Sequence, residues 1–100
     1  MYLQGHEVPQ DSKEAVKWLR LAATQGDVDA QASLGAMYLI GHGVVKDMVQ
    51  AYMWFTLAAL SGDRDSVKNR DVVARRMTPA QVTEAQRRAQ QCQAQQFKGC

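Results

Sequence analysis

At 100 residues the chain has the length of a single small domain. Its residues are 46% hydrophobic, and Ala, Gln, Leu, Met and Arg, which favour helix, dominate. The formal charge of +2 is too small to imply a nucleic-acid partner. No run approaches the roughly 18 apolar residues needed to cross a bilayer, so membrane insertion is not expected.

Met1, Tyr2 and Leu3 read as the last turn of a helix that Gly5 ends. Neither a basic nor an apolar leader segment stands there. A loop through His6, Glu7, Val8, Pro9 and Gln10 follows. Asp11 then caps a helix, with Glu14 three residues on in a capping-box pattern. Its apolar stripe is Ala15, Trp18, Leu19, Ala22 and Ala23 at helical spacing, and Gln25-Gly26 ends it.

Asp27 caps the next helix, which carries Ala30, Leu34, Met37 and Tyr38 on one face. Gly35 inside it costs about 1 kcal/mol against Ala, which predicts a neighbouring helix too close for a Cβ. Gly41-His42-Gly43 breaks the helix, and Val44 and Val45 are expected to tuck into the core. Asp47 caps a further helix with Gln50 at its third position. Ala51, Trp54, Phe55, Ala58 and Ala59 form its stripe, and Ser61-Gly62 closes the unit.

The third stretch opens like the second, Asp63 and Asp65 matching Asp27 and Asp29. It then carries Arg70-Asp71 where the earlier unit has Leu34-Gly35. Thr78-Pro79-Ala80-Gln81 is a strong helix start. From there to about residue 96 the chain is mostly Gln, Ala, Arg and Glu, with one modest apolar face of Val82, Ala85, Ala89 and Cys92. Residues 63–100 therefore read as a divergent helix pair ending in a polar cap.

Residues 1–26 align with 37–62 at an offset of about 36, inside the period range of solenoid arrays. The shared letters include Met1/Met37, Tyr2/Tyr38, Gly5/Gly41, His6/His42, Asp11/Asp47, Ala15/Ala51, Trp18/Trp54, Ala22/Ala58 and Gly26/Gly62. Three parts follow: half of a truncated repeat at 1–26, a complete repeat at 27–62, and the divergent end at 63–100. The first copy begins where the second is already late in its first helix, so the chain reads as a fragment of a longer protein.

The pattern of Ala30, Leu34, Gly35, Tyr38, Gly41, Gly43, Val44, Asp47, Ala51, Trp54, Ala58, Ala59 and Gly62 closely resembles the Sel1-like repeat, a relative of the tetratricopeptide repeat. The likeness covers all of 27–62, the second half of a repeat in 1–26, and weakly 63–76. The first copy departs from it at Glu7, which stands where the second has Gly43. Plain tetratricopeptide repeats have a period of about 34 and a tighter turn than the loop at 41–46 allows.

This resemblance implies an all-α fold, an α-α superhelix of helix pairs with a C-terminal capping helix. Such a solenoid binds a protein or peptide partner on its concave face. It implies no catalytic residue and no cofactor, although a weak cell-wall-related hydrolase activity has been suggested for some secreted relatives. Members are often exported from bacteria. One secreted branch links helix ends by disulfides with seven intervening residues, the spacing of Cys92 and Cys100. In one continuous helix that pair would lie about 12 Å apart, too far to bridge. A turn at Lys98-Gly99 would let the tail fold back. On that resemblance a Cys92–Cys100 disulfide is expected, which would place the protein in the periplasm or outside the cell; two free thiols in a cytoplasmic protein are the alternative.

The polar positions of the lining helix, Asp29, Gln31 and Ser33, with Tyr38, are the candidate partner-binding residues. Trp18 and Trp54 read as core. His6 and His42 lie on loops without further ligands nearby, a poor metal site. Arg64, Lys68, Arg70, Arg75, Arg76, Arg87 and Arg88 make the last third basic, either a solvated face or a docking surface for an acidic partner. No nucleophile–base set, paired carboxylates or phosphate loop is legible, so no enzyme is expected. A self-associating subunit is the alternative, dimerising through the N-terminal edge of Tyr2, Leu3 and Trp18.

Overall fold

A computed structural model describes the chain from residue 9, with side chains from residue 12. It comprises five helices: α1 (Pro9–Ala23), α2 (Val28–Ile40), α3 (Met48–Leu60), α4 (Arg64–Ala74) and α5 (Pro79–Ala94). The half-helix expected at Met1–Leu3, His6 and Glu7 lie outside the described residues, as do Tyr2 and Leu3 of the expected dimer edge.

Local chemistry sets most helix ends. The Asp27 carboxylate accepts from the Ala30 amide at 3.0 Å and the Asp47 carboxylate from the Gln50 amide at 3.1 Å. Gly41, left-handed at φ 72°, closes α2 by donating to the Met37 carbonyl at 2.8 Å. Thr78 and Gln81 bond reciprocally at 3.1 and 2.9 Å, with Pro79 behind the cap. Two ends differ from expectation. Helix α1 starts at Pro9 and not after Asp11, its proline occupying the first turn where an amide would go unused. Asp63 makes no bond to a backbone amide and instead accepts from the Ser66 hydroxyl.

Helix α3 is the centre. Ala51, Tyr52, Met53, Trp54, Phe55, Leu57 and Ala58 are all buried, so apolar side chains leave this helix in every direction. It packs against α2, α4 and α5, whereas α1 packs chiefly against α2. The ring of Phe55 lies where a side chain on Gly35 would be: a Cβ there would sit 3.0 Å from Phe55 Cδ1 and Cε1. The glycine thus lets α2 and α3 close on each other.

That arrangement corrects the placement of Trp18. Trp54 is completely buried, but its repeat partner Trp18 is 61% exposed. The buried row of α1 is Ser12, Val16 and Ala23, with Leu19 partly covered. Trp18 lies about 100° around the helix from Leu19, off the face that meets α2. Val45 is also corrected: Val44 packs on the core, but Val45 is 86% exposed.

The last two helices do not form the expected pair. Each packs on α3 far more than on the other. Val82 and Ala85 of α5 join one core cluster, with Tyr52 and Phe55; Ala89 and Cys92 join the other, with Met53, Trp54 and Leu57. The chain reverses at Gln96 and Phe97, both left-handed at φ 56° and 69°, rather than at Lys98-Gly99 alone. The Phe97 amide donates to the Cys92 carbonyl at 2.8 Å and its ring packs on the core. Cys92 and Cys100 are joined by a disulfide with a Cα separation of 5.7 Å. Closing a loop of 8 residues stabilises the fold by roughly 2–3 kcal/mol on a chain-entropy estimate.

The two tryptophans offer a direct test of this packing. Trp54→Ala is expected to lower stability by about 3–5 kcal/mol, as a truncation in the core. Trp18→Ala should stay within about 0.5 kcal/mol, as an exposed substitution. Urea unfolding of both variants measures the difference, and equal losses would contradict the burial described.

Candidate protein-binding surface

The four candidate residues on α2 separate into two faces. Asp29 and Ser33 are exposed one turn apart, and the row continues through half-buried Ala36 to Ile40, 65% exposed. This is a mixed polar and apolar stripe facing solvent. Gln31 and Tyr38 lie on the opposite side. Gln31 is fully buried, and its Nε2 donates to the Ala23 carbonyl at 3.1 Å. It therefore fastens α2 to the end of α1 and is not available to a partner. The signal that identifies it is phase: position 31 is three residues before Leu34, on the buried row.

Tyr38 is half-buried and already engaged. Its hydroxyl accepts from Arg20 Nη2, and the guanidinium carbon stands 5.7 Å from the ring centroid. Stacking of an arginine on an aromatic face suits this geometry. The arginine comes from α1, so the pair ties the two helices together at their exposed edge. Sequence reading singled out Tyr38 but missed Arg20, because nothing in the spacing of the chain links positions 18 residues apart. Next to Arg20, the side chains of Lys17, Trp18, Leu21 and Thr24 frame an open, largely apolar cleft of about 380 Å³.

The loop after α2 is pinned to α1. Gly43 is left-handed at φ 82°, and a Cβ there would lie 2.6 Å from the Ser12 carbonyl oxygen. Ser12 Oγ and His42 Nε2 share a hydrogen bond at 2.7 Å. Ser12 is 6% exposed, so the bond satisfies a buried hydroxyl and holds the loop down. This serine–histidine contact was not legible in the sequence. Among the described residues no acidic group orients the second His42 nitrogen, and no cluster of three or more His, Cys, Asp or Glu could hold a metal ion.

On α5, Glu84 accepts from Arg87 Nη2 at 2.7 Å and Arg88 Nε at 2.8 Å. The hydrogen bond from Arg87, then that from Arg88, hold its carboxyl down from 4.5 to about 2. All three groups remain substantially exposed, so the cluster shapes the surface more than it stabilises the fold.

Five helices, the first four packed in chain order and α5 returning to α3, with no strand among the described residues, define an α-α solenoid. The family model for the Sel1 repeat matches residues 1–27 and 28–63, and the chain belongs to the Sel1 repeat family. It is similar to the crystal structure of c5321, a protective antigen present in uropathogenic Escherichia coli strains and displaying an SLR fold. The identity is 32%, with a TM-score of 0.80 over 88% of this chain. The match takes in 20% of the antigen's length, so this chain spans about a fifth of it. No curated protein matches the chain. No helix among the described residues is long and apolar enough to cross a membrane.

The Glu84 cluster carries a pH prediction. Its folded-state pKa is depressed, so its contribution is complete above the ordinary value of 4.5 and is lost as pH falls toward about 2. An NMR titration of the Glu84 carboxyl should show a midpoint near 2. In an Arg87→Gln/Arg88→Gln variant the midpoint should return toward 4.5. A midpoint near 4.5 in the unaltered protein would mean that the cluster does not persist in solution.

Proposed function

We propose that this chain is a protein-interaction module that receives a peptide or protein segment on the exposed row of α2. The supporting observation is the division of labour along that helix. Gln31 and Tyr38 are committed to holding α1, which leaves Asp29, Ser33 and Ile40 facing solvent on an element held from both sides. A rigid helix presenting a polar row with one apolar end suits recognition, since little side-chain or backbone ordering remains to oppose binding. The family to which the chain belongs supports the same reading. The Cys92–Cys100 bridge and the bacterial antigen it resembles favour an exported protein. Ser12 and His42 have a structural part in this reading, as the buried pin of the loop.

Peptides selected from a random library against the intact chain provide the test. Asp29→Asn/Ser33→Arg should weaken the selected peptides by about tenfold or more, the loss expected from a few well-placed contacts. Its melting temperature should stay close to that of the parent. Unchanged affinity would place the binding surface elsewhere.

A second reading, self-association, rests on α1. Trp18 and Leu21 are 61% and 51% exposed on the face turned away from α2. Paired apolar side chains on one helix face are a natural contact between copies. Light scattering over a concentration series is expected to show a rising mass that Trp18→Glu abolishes. A constant monomer mass at every concentration would remove this reading.

A further inference from the structure

The formal charge of +2 conceals a strong division along the chain. Residues 1–63 carry four cationic and seven acidic side chains, and residues 64–100 carry eight and three. The excess is concentrated on α4 and the turn after it, where Arg64, Lys68, Arg70, Arg75 and Arg76 meet only Asp65 and Asp71. Among the described residues, the ion-paired arginines are Arg87 and Arg88 on α5; the α4 cations have no carboxylate partner.

Packing exposes this helix unusually. Helix α2, its equivalent one repeat earlier, is covered by α1 and α3. Helix α4 is covered by α3, because α5 leaves it to lie on α3 as well. The buried side of α4 is narrow, with Ser66 and Val73 at its centre. Val67 and Val72, 38% and 41% exposed, flank the ridge of Arg64, Lys68 and Arg75 on its two sides, about 140° apart around the helix.

The helix dipole accommodates Arg75 and Arg76 at the C-terminal end of α4 but does not account for the cations at its start. Arg64 stands in the first turn, where the helix dipole disfavours a cation, and Asp63 makes no bond to the backbone there. Arg64 and Lys68 are a like-charge pair one turn apart, which also opposes the helix.

We propose that the exposed face of α4 docks an acidic segment of a partner protein, one that alternates carboxylates with apolar side chains. This rests on the reading of the chain as an interaction module and specifies the chemistry of what it binds. The carboxylates match Arg64, Lys68 and Arg75, and the apolar side chains cover Val67 and Val72. A protein segment fits better than a uniformly anionic surface. Asp65 and Asp71 interrupt the cations, so a membrane or nucleic-acid backbone would bring negative charge against them, whereas a peptide can place its carboxylates selectively.

Fluorescence anisotropy on the intact, disulfide-bonded chain tests the inference. The probe is a labelled peptide of alternating Glu and Leu, and its Gln–Leu counterpart is the control. The Glu–Leu peptide is expected to bind about tenfold or more tightly, the advantage shrinking as salt shortens the screening length from about 10 Å at 0.1 M to about 3 Å at 1 M. Arg64→Gln/Lys68→Gln/Arg75→Gln should remove that advantage, with circular dichroism showing an unchanged fold. Single Lys68→Gln should remove part of it. Equal binding of the two peptides, or full binding by the triple variant, overturns the proposal. So does binding to phosphatidylglycerol vesicles or duplex DNA in preference to the Glu–Leu peptide. If library peptides still bind through Asp29 and Ser33 in that event, the acidic-segment inference fails while the interaction-module reading stands.

Discussion

Trp54 and Phe55 are neighbours in the chain, point about 100° apart around one helix, and are both almost wholly buried. Trp54 belongs to the cluster with Val16, Ala30, Leu34 and Leu57, and Phe55 to the cluster with Tyr52, Val73 and Ala85. No single neighbouring helix can cover both directions. Helix α3 must therefore be enclosed by α2, α4 and α5 together, and the positions of those helices follow from that demand. Gly35 belongs to the same solution, since the Phe55 ring can lie against α2 only where that helix has no side chain.

This requirement also accounts for the behaviour of the C-terminal part. A third regular repeat would pair α5 with α4, yet α4 offers only a narrow apolar strip and Arg70-Asp71 in place of Leu34-Gly35. Its polar surface gives α5 little to pack on. The Ala85, Ala89 and Cys92 face of α5 instead finds uncovered apolar surface on α3, where small side chains allow close approach. Phe97 then turns back through two left-handed residues to cover the edge of the core, and the disulfide retains that turn. Polar substitution in α4 and redirection of α5 are thus one change, with the exposed basic face as its consequence.

The helices were legible because their signals are local: Asp at the caps, a Thr–Pro–Ala–Gln start, glycine after the last turn, and apolar residues at helical spacing. Gly35 was legible too, as a residue that weakens a helix unless something approaches it. The environment of each helix was not. Trp18 and Trp54 are the same letter in the same place of two copies, but α3 is enclosed and α1 meets mainly α2. Gln31 reads as a surface residue by type, and only its phase with Leu34 places it inside. The Ser12–His42 and Arg20–Tyr38 contacts join positions 30 and 18 residues apart, which no motif connects.

The repeat offset allows the surfaces of α2 and α4 to be compared position by position. Asp29, Ser33, Ala36 and Ile40 correspond to Asp65, Asn69, Val72 and Arg76. The two rows begin alike, with an acid and then a small polar side chain, and diverge at their far ends, where Ile40 gives way to Arg76. None of these residues lies in the buried core. The side chains that make the repeat recognisable, Leu34, Gly35, Ala51, Trp54 and Ala58, are buried in the contacts between helices and leave the outer rows free to vary. The outer rows can therefore change from one repeat to the next without altering the packing, and the basic end of α4 is where the surface of this chain departs furthest from its own preceding unit.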